Sequence, residues 1–222
     1  MKVACWIQGH PTRAEQHERL VRELAPLKPR VSLHASDPPL PWLGYQKLMY
    51  EYLGTSGSSH VLVLQDDVVV CRNLPRAVGE IAKAKPDDPV ILFLSYLPRQ
   101  LIADVRKEMK WGGGRYVRCR SAKFWPVVAV LWPRSAAEHF MAWTETARLP
   151  GMPGPVGSDD AVFGEWGRRN QRTAWVTTPS LVEHPDEIES LWKRRALWGN
   201  GAGRCALHWI GPDADPLELD WS

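Results

Sequence analysis

The sequence predicts an α/β fold in which a mixed, mainly parallel sheet is flanked by helices. The first observation is a continuous apolar run, residues 61–64, which is typical of a strand buried on both faces. The second is the alternation of apolar runs with segments of helical periodicity through the first half of the chain. The third is a pair of adjacent carboxylates, Asp66 and Asp67, directly after the apolar run. Because ligands of such sheets bind at the carboxyl ends of the strands, a functional site is expected there.

Composition indicates one folded domain. Of the 222 residues, 44% are hydrophobic and 24% are charged, which favours neither disorder nor a coiled coil. Since no apolar run approaches the roughly 18 residues that cross a membrane, we expect no transmembrane segment. Residues 1–11 do not resemble a signal peptide, so a cytoplasmic location is expected. The net charge of +3 is too small to indicate nucleic acid by itself, and the oligomeric state stays open.

Cysteine spacing and glycine motifs exclude several classes of site. The four cysteines are scattered without a Cys-x-x-Cys pair, so we expect buried thiols rather than a zinc ribbon or a redox centre. The sequence contains neither Gly-x-Gly-x-x-Gly nor a Walker loop, which argues against dinucleotide oxidoreductases and P-loop kinases. The twelve tryptophans fit either a core or a surface for stacking on sugars and bases.

The first half of the chain reads as repeated strand–helix units. Thr12 and Glu15 form a capping-box pattern before the first helix, and Asn73 is the predicted cap of the third. The predicted strands are residues 2–7, 30–35, 61–64 and 90–95, and the predicted helices are residues 13–24, 42–53 and 74–85.

The second half is less regular. A glycine turn at residues 112–114 precedes a predicted edge strand, and a Pro/Gly loop at residues 149–158 leads to a second acidic pair, Asp159 and Asp160, at a helix start. The predicted strands are residues 115–120, 127–131 and 173–177, and the predicted helices run from about 134 to 147 and from 159 to about 170.

The acidic pairs and His184 predict a metal site. Two neighbouring carboxylates are costly to bury unless a cation lies between them, and carboxylate oxygens with an added imidazole suit Mn²⁺ or Mg²⁺. Each element also has a structural explanation. Asp66 and Asp67 can begin a turn, Asp159 and Asp160 can cap a helix, and His184 can be a structural histidine.

A basic, glycine-rich segment follows His184. We expect it to be flexible and to bind the phosphates of a substrate, where positive charge stabilises a leaving group; a solvated basic face is the alternative. Its cationic residues are Lys193, Arg194, Arg195 and Arg204.

Three short motifs carry a resemblance to a known family. Gln65-Asp66-Asp67 after a strand, the Asp-Asp helix start after a Pro/Gly loop, and the segment Pro-Ser-Leu-Val-Glu-His at residues 179–184 resemble nucleotide-sugar glycosyltransferases of the GT-A fold. The chain is most similar to the lipooligosaccharide-type family and to short bacteriophage and bacterial relatives. The resemblance covers about residues 1–190 and implies a GT-A-like, Rossmann-like sheet.

The resemblance also implies roles for individual residues. Gln65 to Asp67 match the family's DXD-like triplet, so Asp67 and His184 are expected to hold Mn²⁺ or Mg²⁺, with Gln65 near the ribose. Asp160 matches the residue that faces the acceptor, with Asp159 capping the helix or orienting the acceptor. The nucleotide of the donor, expected to be UDP-linked, is assigned to Asp66 and to residues at the ends of the first two strands, namely Gln8, Gly9, His10, Arg13 and Asp37.

The resulting expectation is one glycosyltransferase domain, residues 1–222. It comprises a nucleotide-binding half at residues 1–97, an acceptor half at 98–190 and a flexible basic segment at 191–222. The enzyme would move a sugar to a hydroxyl of a glycan, a protein or a hydroxylated DNA base. A nucleotidyltransferase, and an inactive module that only binds a nucleotide or glycan, are the alternatives.

Overall fold

A computed structural model describes residues 1–36, 40–55, 57–95, 102–103, 105–107, 116–119, 127–147, 159–185, 187–188 and 205–219. The strands are β1 (Val3–Gly9), β2 (Arg30–Leu33), β3 (His60–Gln65), β4 (Val69–Val70), β5 (Val90–Ile91), β6 (Tyr116–Cys119), β7 (Ala129–Pro133), β8 (Ala174–Thr177) and β9 (Val182–Glu183). The helices are α1 (Ala14–Glu23), α2 (Pro41–Gly54), α3 (Leu74–Ala84), α4 (Arg134–Thr146) and α5 (Asp159–Arg169), with short 3-10 turns at Ala25–Leu27 and Pro216–Glu218.

Within the described residues, the main sheet has seven strands in the order β2-β1-β3-β7-β5-β8-β6. Strand β1 pairs in parallel with β2 and β3, and β5 pairs in parallel with β8. Strand β7 lies antiparallel between β3 and β5, and β6 forms an antiparallel edge beside β8. Five strands therefore share one direction, and the predicted α/β class with a mixed, mainly parallel sheet is confirmed.

The apolar run of β3 is explained by a core on each side of the sheet. Val61 and Val63 lie in one core with side chains of α2, α4 and α5, whereas Leu62 and Leu64 lie in the other with α1 and α3. Successive side chains of a strand point to opposite faces, so both faces require apolar residues. On the strands of this sheet and directly after β5, Val3 is half-buried, whereas five further residues are fully buried, namely Ile7, Val61, Val63, Val90 and Leu92.

Tryptophans contribute to the first of these cores. Trp132 on β7 packs against Phe140 and Phe163, with ring centroids 5.0 and 4.6 Å away. Its indole Nε1 donates a hydrogen bond of 2.7 Å to the hydroxyl of Tyr45, so its polar group is satisfied inside the core. Trp132 and Trp166 are therefore core residues rather than stacking platforms.

A second sheet joins two distant parts of the chain. Strand β4 follows the acidic pair and pairs antiparallel with β9, with Val69 opposite Glu183 and Val70 opposite Val182. Because His184 directly follows β9, this short ladder carries the histidine to the acidic pair.

Several local predictions differ from the structure. The N-cap of α1 is Arg13 rather than Thr12, without a side-chain cap, and the Thr12 hydroxyl lies 2.8 Å from His10 Nδ1 instead. Asn73 precedes α3 at φ 59° but donates to Asp215 rather than capping the helix. The strands predicted at residues 30–35 and 90–95 end at Leu33 and Ile91.

The described cysteines are all free thiols, three of them buried. Across the described ranges, no helix combines the length and apolar character needed to span a bilayer.

Residues 205–219, part of the segment expected to be flexible, are bonded to the rest of the fold. Ala206 forms a bridge with Ser95, and Trp209 forms one with Ser180. The backbone N–H of Arg72 donates to Pro212, at 2.8 Å. The basic residues 193–195 and 204 lie outside the described residues.

Candidate functional site

Asp66 connects the end of β3 to the segment between β1 and α1. Its Oδ2 accepts hydrogen bonds from the backbone N–H of His10, at 2.7 Å, and from Nε2 of His17, at 3.0 Å. Its Oδ1 accepts from Nη1 of Arg13, at 2.6 Å. Both oxygens are therefore engaged by donors from one segment, and Asp66 fixes that segment against the sheet.

Asp67 meets residues from both halves of the chain. Its Oδ2 lies 2.9 Å from Nη1 of Arg13 and 3.1 Å from Nε2 of His184. All three side chains are nearly buried, with exposed fractions of 8% for Arg13, 11% for Asp67 and 8% for His184. The cation between the two acids is thus the guanidinium of Arg13, which contacts a carboxylate of each.

These contacts keep Asp67 ionised. Burial raises the pKa of Asp67, but the hydrogen bond and charge of His184, followed by those of Arg13, outweigh it and hold the pKa well below its ordinary value. Burial lowers the pKa of Arg13, whereas the charges of Asp67 and Asp66 hold it above its ordinary value. The site therefore contains an ionised carboxylate with a fixed counter-ion.

The second acidic pair lies beside the first. Gln65 donates from Nε2 to Oδ2 of Asp159, at 3.2 Å, and this bond joins the start of α5 to the end of β3. Oδ1 of Asp159 accepts the backbone N–H of Asp160, at 3.1 Å, and Oδ1 of Asp160 accepts the N–H of Val127, at 2.8 Å. Asp160 thus binds the backbone just before β7, whereas Asp159 contacts Gln65.

The pKa values of both carboxyl groups are raised. Burial raises the pKa of Asp159 to about 6, opposed by backbone hydrogen bonds and by Gln65. Burial and the charge of Asp159 raise the pKa of Asp160 well above its ordinary value. The charge of one carboxylate opposes the ionisation of its neighbour, so both groups hold a proton more tightly than exposed acids do.

A polar patch lies where β1 and β2 end. Gln8 on β1 is opposite Ser32 on β2, and the helical residue Gly44 packs beside both Gln8 and His34. The described residues offer no hydrogen-bond partner to three atoms here, namely Gln8 Oε1, Ser32 Oγ and His34 Nε2. Buried polar atoms ordinarily have partners, so the patch is suited to a polar ligand.

His34 in this patch is neutral near pH 7. Burial, followed by the charges of Lys47 and His10, lowers its pKa. A neutral imidazole carries one donor and one acceptor nitrogen, so the patch offers both kinds of hydrogen-bonding group.

Gly9 permits the close approach of α1 to the sheet. A Cβ at this position would lie 2.7 Å from Nε2 of His17 and 2.9 Å from Cγ1 of Val31. Any side chain would displace His17 from Asp66, which explains why glycine ends β1.

The structure brings together most of the residues predicted from the sequence. Gln8, Gly9, His10 and Arg13 surround the end of β1, and Asp66, Asp67 and His184 meet at the end of β3, with Gln65 joining them to Asp159. Asp160 points to Val127, and its predicted role at the acceptor stays a prediction. Asp37, Lys193, Arg194, Arg195 and Arg204 lie outside the described residues.

Sequence reasoning missed His17, Ser32 and His34. Arg13 and His17 are four residues apart, a spacing that places two side chains on the same side of a helix. This spacing could have indicated that both bind the same carboxylate. Ser32 and His34 share one side of an extended segment, but nothing in the sequence shows that their polar atoms lack partners.

The donor set at Asp67 fits a divalent ion in part. A carboxylate and an imidazole are both ligands that such ions accept. The 3.1 Å contact between Asp67 Oδ2 and His184 Nε2 is a hydrogen bond, so Nε2 would give up its proton to bind an ion. In the described part of the chain, no three His, Cys, Asp or Glu side chains are arranged to hold a metal. The remaining ligands would come from substrate and water, as is usual for Mg²⁺ bound with phosphates.

Comparison with known proteins finds similarity at the level of structure and not of sequence. No family model matches the chain, and no curated protein matches it. One similar solved structure is the crystal structure of A197 from STIV, with 12% sequence identity and a TM-score of 0.49 over 85% of this chain and 87% of that chain.

Proposed function

We propose that the protein is a glycosyltransferase that moves a sugar from a nucleotide-sugar donor to a hydroxyl acceptor. The observation that carries the proposal is the contact of Asp67 with His184 at the carboxyl end of β3, beside the polar patch on β1 and β2. An α/β sheet binds ligands at this edge. A carboxylate, an imidazole and a neighbouring polar patch together suit a nucleoside diphosphate.

Asp67 and His184 are the residues that would hold Mn²⁺ or Mg²⁺. The ion supplies positive charge to the diphosphate as it leaves. Asp66 contributes indirectly, because its two oxygens already position Arg13, His17 and the backbone of His10.

The polar patch is proposed to bind the nucleobase and ribose. Gln8, Ser32 and His34 provide donors and acceptors in a partly buried setting, which is the chemistry that reads the edge of a base. Gly44 allows α2 to pack closely against Gln8 and His34, because any Cβ there would lie 3.0 Å from Gln8 Nε2 and would push these side chains aside. A uridine diphosphate donor remains the expectation.

Asp159 is the proposed general base for direct displacement. The bond between the anomeric carbon and the diphosphate oxygen breaks as the acceptor oxygen forms its bond to that carbon, and the acceptor proton passes to the Asp159 carboxylate. A base works best when its pKa is near the operating pH, and burial raises the pKa of Asp159 to about 6. Asp159 also contacts Gln65 at the end of β3, beside the Asp66–Asp67 pair.

A thermal-shift panel of nucleotide sugars, with and without Mn²⁺, tests the proposal. A donor that binds the native state raises the melting temperature by mass action, and that donor is then incubated with glycan, peptide and hydroxymethylated DNA acceptors. Sugar transfer detected by mass spectrometry supports the proposal. Pyrophosphate release from a nucleoside triphosphate would indicate a nucleotidyltransferase, and binding without any turnover would indicate a binding module.

Two matched variants locate the effect. Asp67→Asn is expected to lose the Mn²⁺-dependent part of the thermal shift. Asp87→Asn changes an exposed acid before the amino end of β5, away from the carboxyl ends of the strands. This variant should keep the Mn²⁺-dependent thermal shift. A shift that is equal in both variants would remove Asp67 from the site.

A further inference from the structure

Arg13 occupies the position between the two carboxylates. A single nitrogen, Nη1, lies 2.6 Å from Asp66 Oδ1 and 2.9 Å from Asp67 Oδ2. The side chains of Arg13, Asp66 and Asp67 are 8%, 6% and 11% exposed, so water screens their interaction only weakly. Asp67 is thus already neutralised by a cation that belongs to the protein.

The same carboxylate is the one proposed to hold the metal. Oδ2 of Asp67 accepts from both Arg13 and His184, the second residue that would hold the ion. A divalent ion at this oxygen would lie next to the guanidinium, and two like charges in a nearly buried site repel each other strongly. Metal binding at Asp67 is therefore expected to displace Arg13 from this carboxylate.

Arg13 can release Asp67 and still be held by Asp66. Asp66 is fixed independently by the backbone N–H of His10 and by His17. Its contact with Arg13 retains the guanidinium at the sheet edge, where a phosphate would bind. Arginine is suited to this exchange because the geometry of its guanidinium matches both carboxylate and phosphate oxygens.

We propose that Arg13 competes with the divalent metal for Asp67, so that the metal binds tightly only when a phosphate group of the donor takes over Arg13. The inference rests on the proposed function for the identity of the phosphate ligand. Binding of metal and nucleotide is then coupled through one side chain, and the coupling acts in both directions. The protein without donor retains a closed ion-pair network instead of a loosely bound metal.

Titration of Mn²⁺ into the protein without nucleotide tests the competition. Free Mn²⁺ is measured by electron paramagnetic resonance for wild type, Arg13→Met and Arg22→Met. Arg13→Met removes the competing charge and should bind Mn²⁺ at least tenfold more tightly than wild type. Arg22 is an exposed arginine on the same helix, and Arg22→Met should match wild type.

Further variants identify the binding site. Addition of Asp67→Asn to Arg13→Met should abolish the gain, because the freed carboxylate is then absent. Arg13→Lys retains the positive charge and should stay close to wild type. If Arg13→Met fails to fold by circular dichroism, Arg13→Gln, which can still donate to Asp66, is measured instead and is expected to show the same gain.

Mn²⁺ binding by the Arg13 variant that is no tighter than in wild type would overturn the inference. So would a gain that survives Asp67→Asn. Sugar transfer by wild type with unchanged Mn²⁺ affinity in the variant would overturn the inference alone. The predicted gain without transfer from any donor would overturn the proposed function alone.

Discussion

At the residue scale, Asp159 and Asp160 occupy adjacent positions and have different surroundings. Asp160 Oδ1 accepts the N–H of Val127, whereas Asp159 contacts Gln65 beside the Asp66–Asp67 pair. If the proposed function holds, we expect Asp159→Asn to lower sugar transfer by on the order of 100-fold or more with little change in donor affinity, since it removes the proposed general base. Asp160→Asn retains an oxygen that accepts from Val127 and should change transfer only slightly. Steady-state kinetics of both variants measure this.

The opposite ranking of these two variants would restore the assignment made from the sequence, in which Asp160 is the base. Weaker donor binding in Asp159→Asn, without a loss in the chemical step, would instead place Asp159 at the sugar or the nucleotide.

Asp159 also predicts a pH dependence of stability. Burial raises its pKa in the folded protein to about 6, and the negative charge of Asp67 also raises it. The folded state therefore binds more protons than the unfolded state between about pH 4 and 6, and the free energy of unfolding falls as the pH rises through this range. Relative to Asp159→Asn, the free energy of unfolding of wild type should fall by on the order of 1–3 kcal/mol between about pH 4 and 6.

Urea denaturation of both proteins at several pH values gives this comparison. If the free energies of unfolding of the two proteins change in parallel between pH 4 and 6, the pKa of Asp159 is not raised in the folded state.

The sequence predicts that Asp66, Asp67 and His184 lie near one another, but it does not show the contacts that each one makes. Asp66 has both oxygens engaged by donors from a single segment, whereas Asp67 contacts His184. This difference depends on which donors approach each oxygen, and these come from residues far away along the chain. Only the spacing of Arg13 and His17 carried local information.

At the element scale, two helical glycines respond differently to the same substitution. A Cβ on Gly79 in α3 meets nothing within 4 Å, whereas one on Gly44 in α2 would lie 3.0 Å from Gln8 Nε2 and 3.3 Å from His34 Cβ. Gly79→Ala should raise the free energy of unfolding by about 0.5–1 kcal/mol, because alanine restricts the unfolded chain. Gly44→Ala should show no such gain and should weaken nucleotide binding.

Denaturant unfolding and nucleotide titration separate the two effects, with Gly79→Ala as the control for binding. Equal nucleotide affinity in both variants would mean that the polar patch does not bind the nucleotide.

Strand positions were predicted well where the strand is buried along its length, and less well where pairing changes. The segment after β5 remains buried but leaves the ladder, because the N–H of Leu94 donates to the Ser180 side chain and the carbonyl of Leu92 accepts from Leu181. Two-residue strands such as β4 and β9 have no periodic signal. Their existence depends on each other.

At the scale of the whole molecule, Glu183 connects the site to the C-terminal part of the fold. Its Oε1 accepts the backbone N–H of His184, at 2.8 Å, and of Ala206, at 2.6 Å. Glu183→Ala should lower stability by about 1–3 kcal/mol, since two donors lose a charged acceptor. It should also speed hydrogen exchange at Ala206 and weaken Mn²⁺-dependent nucleotide binding. Glu187→Ala, at an exposed acid nearby, is the control.

Hydrogen-exchange mass spectrometry and nucleotide titration measure both effects. Faster exchange at Ala206 with unchanged nucleotide binding would separate residues 205–219 from the site.

The position of β7 could not be read from the sequence. Its apolar run fits a strand of either direction, and only the path of the intervening chain decides that it enters antiparallel between β3 and β5. The fold class follows from local alternation of strands and helices. The order of strands follows from long-range packing.

The separation of Asp67 and His184 along the chain also affects events during synthesis. During synthesis, Arg13 and Asp67 emerge from the ribosome long before His184. The nascent chain therefore has the acidic pair and Arg13 before it has His184 or β9. The nascent chain is therefore expected to pair Asp67 with Arg13 first and to acquire affinity for a donor only once its last third has emerged. Donor binding would then require the final strands, and an N-terminal fragment that ends before β7 should not bind nucleotide sugars.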